Sequence, residues 1–123
     1  MSLIHFFKDL FLKYRLNDPT SKTVFDHYFF DHNYFLQKNA SIEDFAPILN
    51  LDTQSLDKMA IAYYGYSFTI LINEYRYNHF VKELLHPINE NLTIESLIKL
   101  SGFDNNESFV KYATEKHQNA SIN

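Results

Sequence analysis

The chain has no cysteine and no tryptophan, and only two glycines and three prolines among 123 residues. Without cysteine there is no disulfide framework and no thiol chemistry. Few glycines and prolines leave few breaks, so a fold of many short strands and tight turns is disfavoured and long helical periodicity points to an all-α chain. No apolar run approaches the length of a membrane span. Met1 to Leu16 is aromatic but carries Lys8, Asp9, Lys13 and Arg15 and has no small-residue cleavage site, so it does not read as a signal peptide. The four N-x-S/T triplets, at Asn39, Asn91, Asn106 and Asn119, then read as chance in an asparagine-rich chain. Positive charge is also scarce. Eleven Lys and Arg stand against fifteen Asp and Glu, a net charge of −4. From Asn39 onward only Lys58, Arg76, Lys82, Lys99, Lys111 and Lys116 are basic, against eleven acids.

What is abundant is core material: 46% hydrophobic and 17% aromatic residues, ample for one domain with an appendage. Leu3, Phe6, Phe7, Leu10, Phe11 and Tyr14 form an amphipathic stripe, read as a helix packed on its own domain, with a membrane-surface or dimerisation helix as the functional alternative. Asn17 to Ser21 is a break, with Thr20 or Ser21 capping a second helix whose inner face is Val24, Tyr28, Phe29 and His32. His27 and His32 are five apart, which does not place them on one face of an α-helix for a metal.

Ser41 with Asp44 opens a third helix, with Ile42, Phe45, Ala46 and Leu49 inward and Pro47 expected to kink it. Asp52 caps a fourth, with Leu56, Met59, Ala60 and Tyr63 inward and Thr53, Gln54, Asp57 and Lys58 outward. Gly65 ends it, and Ser67 caps a long helix to Leu85, roughly 28 Å in length. Thr93 caps another, carrying Ile94, Leu97, Ile98 and Leu100. Gly102 ends that one, Phe103 packs back into the angle, and Asp104 or Asn105 caps the last helix, with Phe109, Tyr112 and Ala113 inward. Its outward positions are Asn106, Glu107, Ser108 and Lys111. Helix, glycine turn, helix is the geometry of a helix-turn-helix.

The segment Leu92-Thr93-Ile94 through Gly102-Phe103-Asp104-Asn105-Asn106-Glu107-Ser108-Phe109 resembles the second helix-turn-helix of AraC/XylS-type transcriptional regulators, in the form common in Bacteroidetes. Gly65-Tyr66-Ser67-Phe68 with Ile72-Asn73-Glu74-Tyr75-Arg76 resembles that family's linker helix, and Ser41-Ile42-Glu43-Asp44-Phe45-Ala46 with Leu51 and Leu56 its first helix-turn-helix. The resemblance runs from about Phe25 to His117. It implies an all-α, homeodomain-like architecture with two helix-turn-helix subdomains joined by a long linker helix. The segment 1–38 would be N-terminal and helical. The double helix-turn-helix domain would cover 39–123, with its first motif at about 41–64, the linker at about 67–85 and the second motif at about 93–117.

The resemblance further implies a cytoplasmic, sequence-specific DNA-binding regulator, with recognition helices in successive major grooves of double-stranded DNA about one turn, roughly 34 Å, apart. Its DNA-contacting residues would be Thr53, Gln54, Asp57, Lys58, Asn106, Glu107, Ser108 and Lys111. Gln54 and Asn106 have amides suited to adenine, Lys58 and Lys111 reach guanine or phosphate, Thr53 and Ser108 hold phosphate, and Asp57 and Glu107 can only accept. No cofactor and no metal are implied. The acidic balance, Ile98 and Ser101 at places the family fills differently, and a tail lacking the usual lysine pair sustain a second expectation. In it the chain is an AraC-like domain without DNA affinity, serving as a protein-interaction or dimerisation module. Enzymatic motifs are lacking: Glu83 and His86 have metal-pair spacing but no partner motif, and there is no nucleophile elbow, P-loop or dinucleotide fingerprint.

Overall fold

A computed structural model describes residues 19–122, all of whose regular elements are helical. The α-helices are α1 (Pro19–Asp26), α2 (Ile42–Phe45), α3 (Thr53–Tyr64), α4 (Phe68–Leu85), α5 (Ile94–Leu100) and α6 (Asn106–Ile122). A π-helical turn covers His27–Asp31, and 3-10 turns cover Tyr34–Leu36, Ala46–Leu49 and Pro87–Asn89. The described residues divide into two compact units: 19–34 with Ala40–Leu71, and Phe35–Asn39 with 72–122. No helix among the described residues is long and apolar enough to cross a membrane. The stripe from Leu3 to Tyr14 lies outside the described residues.

The first unit is built on benzyl side chains. Phe25, Phe29, Phe45 and Phe68 are each fully buried, and Phe45 meets Phe25 and Phe68 with ring centres 5.2 and 5.0 Å apart. Burying one such side chain stabilises by about 2 kcal/mol, so this nest with Leu56 and Leu71 is the unit's main cohesive term. Of the expected inner face Phe29 is buried, whereas Val24 is half-buried and His32 exposed. Phe25 and Phe29, four apart and stacked at 5.1 Å, point inward, whereas Tyr28 remains 42% exposed. The phenol keeps its hydroxyl in water while the two purely apolar rings take the core. Thr20 and Ser21 lie inside α1 rather than capping it.

Beyond Asp26 the helix loosens. His32 N–H donates to His27 O over 3.1 Å, an i to i+5 bond, and Asn33 at φ 53° stops the run. Ser41 caps α2 by accepting from Asp44 N at 3.0 Å, as its spacing predicts. Pro47, lacking an N–H, coincides with the change from α2 to the tighter 3-10 turn at Ala46–Leu49. Asn50 adopts φ 56°, and Leu51 N–H reaches back to Ala46 O at 3.1 Å, which closes the turn into α3. Asp52 accepts from Ser55 N at 2.7 Å, and Gly65 at φ 83° ends α3.

The second unit packs Phe80 of α4 against Leu97, Ile98 and Phe103, with Tyr77, Phe109 and Tyr112 around them. Of the four apolar residues at helical spacing on α5, Leu97 and Ile98 are buried while Ile94 and Leu100 are 47% and 58% exposed, because a seven-residue helix turns only part of its surface to one core. Thr93 caps α5 through Ser96 N at 3.1 Å, and Asn105 rather than Asp104 caps α6 through Ser108 N at 2.7 Å. The buried Arg76 holds the segment Phe35–Asn39: its Nε donates to Phe35 O at 2.6 Å and its Nη2 to Gln37 O at 2.8 Å. Gly102, at φ 93°, lies directly beneath this clasp.

Candidate nucleic-acid interface

Each unit contains one pair of helices joined by a turn with a left-handed residue, and in each the second helix exposes its N-terminal face. In the first unit Thr53, Gln54 and Lys58 are exposed on α3, while Leu56, Met59 and Ala60 on the other side are buried. Asp57 does not join them. Its Oδ1 accepts from Phe68 N at 2.8 Å, so the carboxylate caps the first turn of α4 within the same unit. A helix N-terminus carries roughly half a positive charge, which offsets much of that carboxylate.

In the second unit Asn106, Glu107, Ser108 and Lys111 are all exposed on the first turns of α6, opposite the half-buried Phe109, Tyr112 and Ala113. Ser108 is partly engaged, since its hydroxyl donates to Asn105 Oδ1 at 2.9 Å. An open groove beside this face is lined by Glu95, Lys99, Asp104, Asn105, Asn106 and Glu107, so acids outnumber the cation there. Lys58 and Lys111 form no ion pair with the described residues, whereas Lys116 is bound to Glu74 at 2.7 and 2.9 Å.

Glu74 is held on both sides: Tyr112 OH donates to its Oε2 alongside the lysine. Burial pushes its carboxyl upward, but the Lys116 and Tyr112 hydrogen bonds together with the Lys116 charge outweigh this and hold it below its ordinary value. Ser101, at a place where the family pattern is apolar, is fully buried. Its hydroxyl donates to Leu97 O at 2.8 Å and takes His79 Nδ1 at 3.1 Å. Burial lowers the His79 pKa, against the raising effect of Glu83, 3.8 Å away, so the neutral ring is favoured. With its hydroxyl committed to a carbonyl in the core, Ser101 is a packing residue.

Two further pairings escaped sequence reasoning. Glu74 and Lys116 are 42 residues apart, beyond any local spacing rule. His27 and His32 bring their Nε2 atoms to 3.1 Å, which the π turn allows and α-helical spacing forbids. No group of three or more metal-ligating side chains occurs among the described residues. The chain matches no protein-family model, no curated protein and no solved structure. The functional reading therefore rests on these faces themselves.

Proposed function

We propose that the chain is a sequence-reading, DNA-binding transcriptional regulator of the AraC type, acting in the cytoplasm without a cofactor. The observation that carries the reading is the repeated face: amide, hydroxyl and lysine exposed on the first turns of α3 and again of α6, each behind a left-handed turn and above a packed apolar side. Gln54 and Asn106 are the adenine readers, Lys58 and Lys111 meet guanine or phosphate, and Thr53 and Ser108 position the backbone. Glu107 accepts from cytosine N4 if it faces a base at all.

The test is a fluorescence-anisotropy titration of the chain with mixed genomic duplex, first at low and then at moderate salt. Binding is expected at about 20 mM salt and falls steeply as salt rises, because neutralised phosphates release counterions. Lys58→Ala is expected to weaken it and to lower the salt slope by about one. Absence of binding at about 20 mM salt refutes the reading for the chain as it stands.

The second reading, a protein-interaction or dimerisation module of the same architecture, is supported by the acid-lined groove beside α6 and by Lys116 being spent on Glu74. It predicts self-association or a partner, and no salt-sensitive DNA binding.

A further inference from the structure

We propose that His27 and His32 form an exposed two-histidine chelate for a transition-metal dication of the Zn²⁺, Ni²⁺ or Cu²⁺ class. On an α-helix, residues five apart point about 140° away from each other, so the pair would be useless as ligands. Here the turn is π-helical: His32 N–H donates to His27 O across five residues, and the two side chains leave the same side of it. Their Nε2 atoms are 3.1 Å apart, with the rings perpendicular at 89° and their centres 4.5 Å apart.

That separation suits a shared metal. With metal–nitrogen bonds near 2.0–2.1 Å, two ligands of a tetrahedral ion sit roughly 3.3–3.4 Å apart, and adjacent ligands of a square-planar ion roughly 2.9 Å. The observed gap lies between the two, so either geometry changes the Nε2 separation by only a few tenths of an ångström while each ring tilts to turn its lone pair from the partner nitrogen toward the shared ion. Both residues are exposed, so nothing in the first unit must open to admit an ion.

The surroundings add the outer support that imidazole ligands use. Asp31 Oδ2 stands 3.6 Å from His27 Nδ1, on the ring edge away from the shared gap, where it favours a proton on Nδ1 and leaves Nε2 free to coordinate. The Tyr28 ring stacks on His32 with centres 6.0 Å apart and meets His27 edge-on at 5.2 Å, which limits both rings to a few orientations. Within the pair one Nε2 carries the hydrogen that the other accepts. Metal binding moves it to the Nδ1 of the same ring by tautomer exchange through solvent, so that both ligands are neutral imidazoles. No third ligating side chain joins the pair among the described residues, so the remaining positions on the ion belong to water. Two imidazoles and no carboxylate oxygen in the inner sphere select against Mg²⁺ and Ca²⁺.

The test is calorimetric titration of the full chain at constant pH with NiCl₂, ZnCl₂, CuCl₂ and MgCl₂ in turn. One equivalent of each transition metal and no Mg²⁺ is expected to bind. His27→Ala and His32→Ala should each abolish that equivalent, and Asp31→Asn should weaken it about tenfold. All three positions are exposed, and matching circular dichroism spectra check that the variants fold. A measurement on the unaltered chain stands beside this. Substoichiometric Cu²⁺ should broaden the His27 and His32 ring resonances before those of any other histidine. Binding of unchanged stoichiometry in both alanine variants, broadening that begins at another histidine, or no binding at about 1 mM metal each overturns the proposal.

Discussion

Gly102→Ala offers the sharpest test of how the second unit is held. The residue sits at φ 93°, where an L side chain costs about 1–2 kcal/mol of backbone strain. An added Cβ would also lie 2.7 Å from Phe35 O, 2.8 Å from Arg76 Nε and 3.1 Å from Leu36 Cα. Two of those three atoms are backbone and cannot swing aside. The third belongs to the buried guanidinium that donates to Phe35 O at 2.6 Å, so relieving the clash means lengthening or breaking that bond. A hydrogen bond from a charged donor contributes about 1.5–3 kcal/mol. Together the two effects predict a loss of about 2.5–5 kcal/mol, a large part of the stability of a domain this size. Gly65→Ala is the control: φ is 83°, but nothing lies within 4 Å of the added Cβ, so the loss should be only the strain of about 1–2 kcal/mol. Urea unfolding followed by far-ultraviolet circular dichroism compares them. Equal losses, within about 0.5 kcal/mol, would refute the clasp argument, because backbone conformation alone would then account for both.

Two further outcomes concern acids that work inside the fold. Asp57→Ala removes the cap on the Phe68 amide and should cost about 1 kcal/mol, or about 4 °C in melting temperature, while leaving DNA affinity at fixed salt unchanged. A rise in affinity with no loss of stability would put Asp57 on the DNA face instead. Glu74 is depressed below its ordinary value of 4.5, so its contribution to stability is present above that value and is lost as pH falls through the lowered one. Melting curves from about pH 7 down to about pH 3 should show an acid-side loss that is smaller in Glu74→Gln, and an equal slope in both proteins would contradict the assignment.

The helices and four of their caps are legible in the sequence because they depend on near neighbours, whereas Thr20 and Ser21 lie inside α1 and the distant Asp57, not Ser67, meets the Phe68 amide of α4. Ser41, Asp52, Thr93 and Asn105 each accept from the amide three residues on, and Gly65 and Gly102 take the positive φ that ends their helices. What spacing could not supply was the choice among several apolar residues for one core. Tyr28, Ile94 and Leu100 fit the helical pattern as well as Phe25, Leu97 and Ile98 do, and only the opposing elements decide which are buried. The candidate faces were legible for the same local reason as the caps. The charge on them was not, because Asp57 meets Phe68 and Glu74 meets Lys116 through the fold. The π turn at His27–Asp31 has no periodicity signal of its own, so the histidine pair was ruled out by a rule that holds only for α-helices.

That redistribution of charge has a directional consequence for the DNA binding proposed above. Beyond Asn39, Asp44, Asp52, Asp57, Glu74 and Glu83 each accept a hydrogen bond within the fold, from Tyr34, Ser55, Phe68, Lys116 and Asn89 respectively. Two of them, Asp52 and Asp57, lie against helix N-termini whose partial positive charge offsets them. The face of α3 carries Lys58 beside neutral Thr53 and Gln54, with the exposed Asp52 engaged by Ser55 N and the half-buried Asp57 by Phe68 N. The face of α6 keeps Glu107 next to Lys111, with Glu95 and Asp104 lining the groove alongside and bound to no side chain there. A phosphate approaching Lys58 meets attraction, whereas one approaching Lys111 meets attraction and repulsion within the same few ångströms. Lys58→Ala should therefore cost more DNA affinity than Lys111→Ala at equal salt, and Glu107→Gln should recover affinity where no change on α3 does. Anisotropy titrations of the three variants at about 20 and about 150 mM salt decide it. Equal losses for the two lysines, with no gain from Glu107→Gln, would mean that the acids beside α6 do not face the phosphates and that both units meet DNA alike.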